Sequence, residues 1–278
     1  MDFGDDSPKL ALITGASSGI GTAVALKLAE EGHHLYLIGR SVDSLHNVEE
    51  DCRNTYMEFQ HDKSLVQHGI GDVGDERDCE RLVDACVSHF KGRAPDVAVL
   101  NAGVGRPGAV DETTVEDFDL IMKTNVKGVF LFMRKLLPLM KARGSGQIVV
   151  TSSVLGLRTC EKAAVYCASK YAVEGLVDAT RKDFAGTGVK LGVCNPAAVA
   201  TPWWESKQRG GWEKGEADTS NFLTADDVAE GIMSIIKQSP MCDIGRVVME
   251  NVTVKKRRRV DEEGEGKQLA GTGDMHMT

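Results

Sequence analysis

The chain has 278 residues, 42% hydrophobic and 27% charged, with a formal net charge of −8; that length suits one α/β domain with a sizeable core, and the acidic balance argues against a nucleic-acid binder. Seven Cys without CxxC spacing and seven His without ligand spacing argue against a metal centre and for reduced thiols in a cytoplasmic compartment. No stretch is long and apolar enough to span a bilayer, and the acidic residues 1–7 read as a flexible N-terminus without a signal-peptide pattern.

Residues 9–14 (KLALIT) are a short apolar run closed by Gly15, the pattern of a buried strand. Residues 19–31 place Val24, Ala25, Leu28 and Ala29 on one side and stop at Gly32, as a helix does. Residues 35–38 give a second strand, and strand, helix and strand together make a βαβ unit with a right-handed crossover. The turn inside it is TGASSGIG, residues 14–21, with Gly15, Ser17, Ser18, Gly19, Ile20 and Gly21. Three glycines there let the backbone approach a pyrophosphate at the positive end of a helix. A turn chosen only for its geometry would carry the same glycines. Arg40 follows the second strand, and no acid stands nearby until Asp43. In a dinucleotide fold an acid at this place binds the ribose 2′-hydroxyl of NAD, whereas an Arg accommodates the 2′-phosphate of NADP. Arg40 thus points to NADP rather than NAD, the alternative being an exposed Arg that merely opens the next helix.

Residues 41–56 form a polar helix, and residues 66–70 a short strand that runs into Asp72 and Val73. Residues 75–90 are amphipathic, with Leu82, Val83, Cys86 and Val87 inward. A strand at 96–100 ends in Asn101, Ala102 and Gly103. Residues 115–143 read as one long helix in which Val126, Phe130, Met133 and Leu137 share a stripe and Pro138 bends the end. A strand at 147–151, a helix at 163–184 and a strand at 190–195 follow. Residues 201–221 have no period and hold all three tryptophans, Trp203, Trp204 and Trp212, which reads either as a lid or as an anchored surface loop. Residues 224–238 form a helix capped by Thr224, and residues 246–254 a last strand. The alternation predicts an α/β fold, a doubly wound, Rossmann-like parallel sheet in a single domain over 8–254. Residues 255–278 have little to bury and read as a disordered tail, whose basic run 255–259 is either a nuclear import signal or a solvated segment.

Ser153, Tyr166 and Lys170 carry the chemistry. On a helix, residues 166 and 170 share a face, which sets the Lys170 ammonium beside the Tyr166 phenol. A free phenol titrates near pH 10, and a neighbouring cation lowers that value. A shift of ~3 units needs ~4 kcal/mol, within reach of one close cation in a partly dry site. Tyr166 would then exchange a proton with a carbonyl or alcohol oxygen near neutral pH, and Ser153 would hold that oxygen.

Taken together, TGASSGIG at 14–21, Asp72-Val73, the NAG of 101–103, Asn125, Ser153, Tyr166 and Lys170 resemble the short-chain dehydrogenase/reductase family over roughly residues 8–252. The resemblance implies that the 14–21 loop holds the cofactor phosphates, that Asp72 binds the adenine amino group and that the NAG turn stabilises the sheet beside the cofactor. It implies that Asn125 holds a proton-relaying water, that Lys170 also binds the nicotinamide ribose, and that Pro196, Val199 and Thr201 belong to a cofactor segment, the last two at the carboxamide. The chain departs from the family pattern at Ala197, where Gly is usual, and at Leu100 before the NAG. The expectation is an NADP(H)-dependent oxidoreductase, with NADP preferred to NAD, acting on a small-molecule carbonyl or secondary alcohol. Leu155, Leu157, Arg158, Arg106 and the tryptophan loop are candidate pocket residues that would supply an apolar site with one anion contact. Apolar positions beyond what one sheet face needs, on helices 115–143 and 163–184, point to a homodimer or homotetramer. An NADP(H)-binding sensor or scaffold directed to the nucleus by the basic tail is the rival reading, disfavoured because all four catalytic positions are present.

Overall fold

The structure is a computed structural model and describes residues 8–252. Residues 1–7 and 253–278, with the basic run and the end of the last expected strand, lie outside the described residues. In chain order the elements are β1 (Leu10–Thr14), α1 (Ile20–Glu30), β2 (His34–Gly39), α2 (Val42–Glu58), β3 (Val66–Ile70), α3 (Glu76–His89) and β4 (Val97–Leu100). There follow α4 (Val115–Ile121), a π-helical turn (Met122–Lys127), α5 (Gly128–Arg143), β5 (Gly146–Thr151), α6 (Ala164–Asp183) and β6 (Val189–Pro196). The chain continues through β7 (Val199–Ala200), β8 (Leu223–Thr224), α7 (Ala225–Ile236) and β9 (Arg246–Met249).

Seven strands form one parallel sheet in the order β3-β2-β1-β4-β5-β6-β9, and β7 pairs with β8 separately. The expected doubly wound sheet is therefore present. Its strands read as unbroken apolar runs because both faces are covered. Along β1, Leu10 and Leu12 enter the core built with α3, α5 and α6, while Ala11 and Ile13 enter the one built with α1, α2 and α7. Fully burying each such Leu or Ile contributes roughly 1.5–3 kcal/mol. The winding reverses between β1 and β4, so a crevice opens at the carboxyl ends of those two strands, where ligands of open α/β sheets bind.

The long helix expected at 115–143 is interrupted. Met122–Lys127 winds as a π turn between α4 and α5. The apolar three-four spacing runs straight through this turn, so periodicity does not reveal it; such turns concentrate at functional sites. The predicted stripe also divides: Met133 and Leu137 are buried against the sheet, whereas Phe130 is 45% exposed. At about 100° per residue, a face centred on Val129, Leu136 and Met140 leaves Phe130 at its edge. The last strand ends at Met249, short of the expected 254. No helix among the described residues is long and apolar enough to cross a membrane.

Candidate active site

The turn after β1 is shaped for an anion. Gly15 and Gly19 sit at φ +67 and +58, a region that side-chain-bearing residues rarely adopt. A Cβ on Gly21 would lie 2.2 Å from the Gly15 carbonyl oxygen. No side chain caps α1, whose N-cap is Gly19, so its first N–H groups are free for a ligand. By contrast Ser41, Asp75 and Thr224 cap α2, α3 and α7 with their own oxygens. The cradle thus fits a dinucleotide pyrophosphate: a side chain at any of the three glycines would fill it or strain it.

The neighbouring elements close around this cradle. The Thr14 hydroxyl accepts from the N–H groups of Asn101 and Ala102 at 3.0 and 3.2 Å, tying the NAG turn to the end of β1. Ile20 is partly buried against the core at the head of α1. Ser17 packs under Gly39, where a Cβ would sit 3.2 Å from the serine. Arg40 follows on the surface, close enough for its charge to act on Asp72. The Asp72 carboxylate accepts from Lys123 Nζ at 2.8 Å and from Gly74 N–H at 2.9 Å. Burial pushes that carboxyl up, but Lys123, the Gly74 N–H and the Arg40 charge outweigh it and hold it below the usual range. Val73 is buried. On the opposite wall Pro196 is buried at the end of β6, Val199 pairs in β7, and the Thr201 methyl lies 3.0 Å from where a Gly19 Cβ would be. Ala197 is not among the residues with positive φ, so replacing the usual Gly there costs no backbone strain.

The four expected catalytic residues gather next to the cradle. Asn125 lies in the π turn and is buried; its side chain accepts from Val104 N–H at 2.8 Å and donates to Val104 O at 2.9 Å and Ser169 Oγ at 3.1 Å. It thereby fixes the strand-end loop that carries Gly103. That glycine separates two groups: a Cβ on it would be 3.5 Å from Asn125 Oδ1 and 3.8 Å from Lys170 Nζ. Ser153 caps the short 3-10 turn Val154–Gly156, accepting from Leu155 N–H at 3.1 Å, and its hydroxyl faces the Tyr166 phenol. Lys170 Nζ lies 5.5 Å from the Tyr166 ring centroid and donates to Thr151 O at 3.1 Å.

That geometry corrects the expected electrostatics. Burial pushes the Tyr166 phenol well up from its ordinary value, and the Ser153 hydroxyl only partly opposes this. Burial also pulls Lys170 down to about 8, against the pull of Glu174. In this arrangement the Lys170 ammonium is turned toward a main-chain carbonyl, and burial is the largest influence on the Tyr166 phenol. A phenol held protonated is poised to donate a proton to a carbonyl oxygen.

Three features support the site; the first and third escaped the sequence reading, and the second bears on the two readings of residues 201–221. Glu174, one turn beyond Lys170 on α6, is buried between Asn195 Nδ2 at 2.6 Å and Arg246 at 2.7 Å. Asn195 also donates to Ser153 O at 2.9 Å, so this network orients the Ser153 backbone. The 166/170/174 spacing was a signal for it, since all three lie on one helix face. Second, residues 201–221 fold over the site. Trp203 sits 6.2 Å from Tyr166, centroid to centroid, and against Gly105, where a Cβ would be 2.6 Å from its ring. Trp204 anchors this loop, donating to Val199 O at 2.9 Å and packing on Trp203, Trp212 and Phe222. Third, Arg209 of the loop reaches Ser18 in the cradle. Two expected pocket cations are otherwise engaged. Arg106 binds Asp117 and the carbonyls of Gly105, Gln208 and Arg209. Arg158 forms a bidentate pair with Glu250 at 2.8 Å. Neither is a spare anion contact.

The sequence model of the short chain dehydrogenase family matches residues 9–211. Sepiapterin reductase of Chlorobaculum tepidum is 35% identical over 202 residues, which cover 70% of this chain and 79% of that protein. Levodione reductase of Leifsonia aquatica is 33% identical over 202 residues, 72% of this chain and 73% of that protein. Among solved structures, an alcohol dehydrogenase of the archaeon Thermococcus sibiricus complexed with 5-hydroxy-NADP is similar at a TM-score of 0.77 and 27% identity, over 90% of this chain and all of that one. A 3-ketoacyl-(acyl-carrier-protein) reductase of Brucella melitensis complexed with NADH is similar at a TM-score of 0.75 and 27% identity, over 87% and 96% of the two chains.

Proposed function

The chain belongs to the short-chain dehydrogenase family, and we propose from that premise that this nicotinamide-dependent oxidoreductase uses NADP(H) to interconvert a small carbonyl compound and its secondary alcohol. The observation that carries the proposal is Ser153 facing the Tyr166 phenol, with Lys170 behind, beside a glycine cradle that fits a dinucleotide. Residues 14–21, Asp72 and the NAG turn of 101–103 would hold the nicotinamide cofactor, which when bound would supply the hydride taken up by the carbonyl carbon. Ser153 donates a hydrogen bond to the carbonyl oxygen, and Tyr166 donates the proton that oxygen takes up. Lys170 then returns a proton toward Tyr166, helped by a buried position that lowers its own affinity for one. Asn125 holds the loop bearing Gly103 in register with Lys170. Trp203 packs beside Tyr166, where its ring would help to shield the reacting oxygen from water. Consumption of NADPH with a panel of ketones and aldehydes tests the whole reading. Cofactor binding without turnover across the panel would favour the sensor or scaffold role instead.

Cofactor preference rests on Arg40. It is exposed next to Gly39, against which Ser17 packs, and its charge acts on Asp72, at the end of the strand that leads to the adenosine ribose. A hydrogen-bonded charge of this kind contributes ~1.5–3 kcal/mol, roughly 10- to 150-fold in affinity. Arg40→Ala is therefore expected to weaken NADPH by that factor in a direct binding titration and to leave NADH nearly unchanged. Equal losses for both cofactors would remove Arg40 from the 2′-phosphate.

A homodimer or homotetramer is part of the same proposal. Phe118 of α4, Phe130 of α5 and Tyr171 of α6 are 46, 45 and 45% exposed, an apolar surface on the helices expected to pair. A two-fold contact between like faces closes on itself. Light scattering at micromolar concentration is expected to give two or four times the 30.0 kDa chain mass; a monomer's mass would refute the pairing.

A further inference from the structure

Arg209 lies in the tryptophan loop, far in sequence from the glycine cradle it touches. Its backbone is pinned over the end of β4: its carbonyl accepts from Gly105 N–H at 2.7 Å and from Arg106 Nη1 at 3.1 Å. Its side chain turns the other way, and Nη1 donates to Ser18 Oγ at 2.5 Å. Ser18 is the residue before Gly19, the N-cap of α1. The half-buried guanidinium therefore hangs over the anion-shaped turn. Lys207 of the same loop has a carboxylate partner in Glu213, whereas the contact shown for the Arg209 head is a neutral hydroxyl. A fork of five donors matches phosphate oxygens far better than one serine, and none of the cradle's own residues from 14 to 21 carries a positive charge.

We propose that Arg209 binds the cofactor diphosphate, passing from Ser18 to the phosphate oxygens when a dinucleotide enters, and so seats the tryptophan loop over the bound cofactor. The inference rests on the nicotinamide-cofactor reading but is separable from the choice of NADP(H). The diphosphate is common to both dinucleotides, so Arg209 acts on NADPH and NADH alike, whereas Arg40 acts on NADPH alone.

The test needs no turnover. All three tryptophans of the chain lie in this loop, so dinucleotide binding to the full-length protein is read as energy transfer from tryptophan to NADPH or NADH. Arg209→Ala is expected to weaken both by a similar factor, roughly 10- to 150-fold. Arg209→Lys is expected to lose less, because it keeps the charge without the fork. Lys207→Ala, in the same loop but paired with Glu213, is expected to match the wild type. If Arg209→Ala does not fold by circular dichroism, Arg209→Gln replaces it; Gln can still bond Ser18 but brings no charge, and a comparable loss supports the assignment. Wild-type affinity in the Arg209 variants, or a loss confined to NADPH, overturns it. A wild-type chain that binds neither dinucleotide overturns the cofactor reading, and the Arg209 assignment with it. Binding by the wild type with no loss in Arg209→Ala overturns the Arg209 assignment alone.

Discussion

Replacing Tyr166 by Phe is expected to lower carbonyl reduction by ~10²–10⁴-fold, the usual cost of removing a general acid, while NADPH still binds. The ring that packs against Trp203 stays, and so does the surface over which Lys170 lies. Only the hydroxyl goes, with its contact to Ser153. Burial holds the wild-type phenol protonated well above neutral pH, so in the reduction direction its acid form persists across the neutral range. Any loss of wild-type rate on that account should appear only at strongly alkaline pH. Steady-state turnover together with tryptophan-to-NADPH energy transfer measures both halves. A Phe variant that keeps more than about a tenth of wild-type activity would show that the proton comes from elsewhere.

The sheet was legible because both its faces are buried. Apolar runs such as residues 10–14 and 97–100 have no other use, and glycines at 15, 19 and 21 mark where the first of them must turn. The site was legible where one residue type at one place carries the chemistry. It was not legible where position depends on the path of a loop. Arg209 and Ser18 are 191 positions apart, and no local pattern links them. The π turn at Met122–Lys127 stayed hidden because one turn of different pitch leaves the apolar spacing on either side intact. The Tyr166 and Lys170 pair marks the limit most clearly. Helical spacing does put them on one face, but it says nothing of where a four-carbon side chain carries its ammonium. Here Thr151 O captures that group and burial dominates, so the sign of the expected Tyr166 shift was reversed.

Lys170→Met is expected to abolish turnover and yet to stabilise the cofactor-free protein at neutral pH. Lys170 is only 5% exposed, and an ammonium there has three N–H groups but one main-chain acceptor at 3.1 Å. Burial lowers its folded pKa to about 8 from an ordinary 10.5. Below pH 8 the lysine is charged in both folded and unfolded chains, and the folded state bears the full cost of the buried charge. Between about 8 and 10.5 the folded chain has released the proton while the unfolded chain still holds it. The unfolded state then binds more protons, so the wild type gains stability as pH rises through that window. The shift corresponds to roughly 3 kcal/mol; the lost hydrogen bond to Thr151 O offsets about 1 of it. Met keeps most of the aliphatic stem, so the variant should be more stable by on the order of 1–2 kcal/mol at pH 7. That advantage should disappear as pH approaches 10.5. Urea unfolding of both proteins at pH 7 and 10 measures the difference. A variant less stable than the wild type at pH 7, or a difference that ignores pH, would mean that Lys170 is already satisfied in the empty site. Saturating NADPH should reverse the order, because a dinucleotide in the crevice gives the ammonium an acceptor that Met cannot use, and ligand binding stabilises only the chain that holds it.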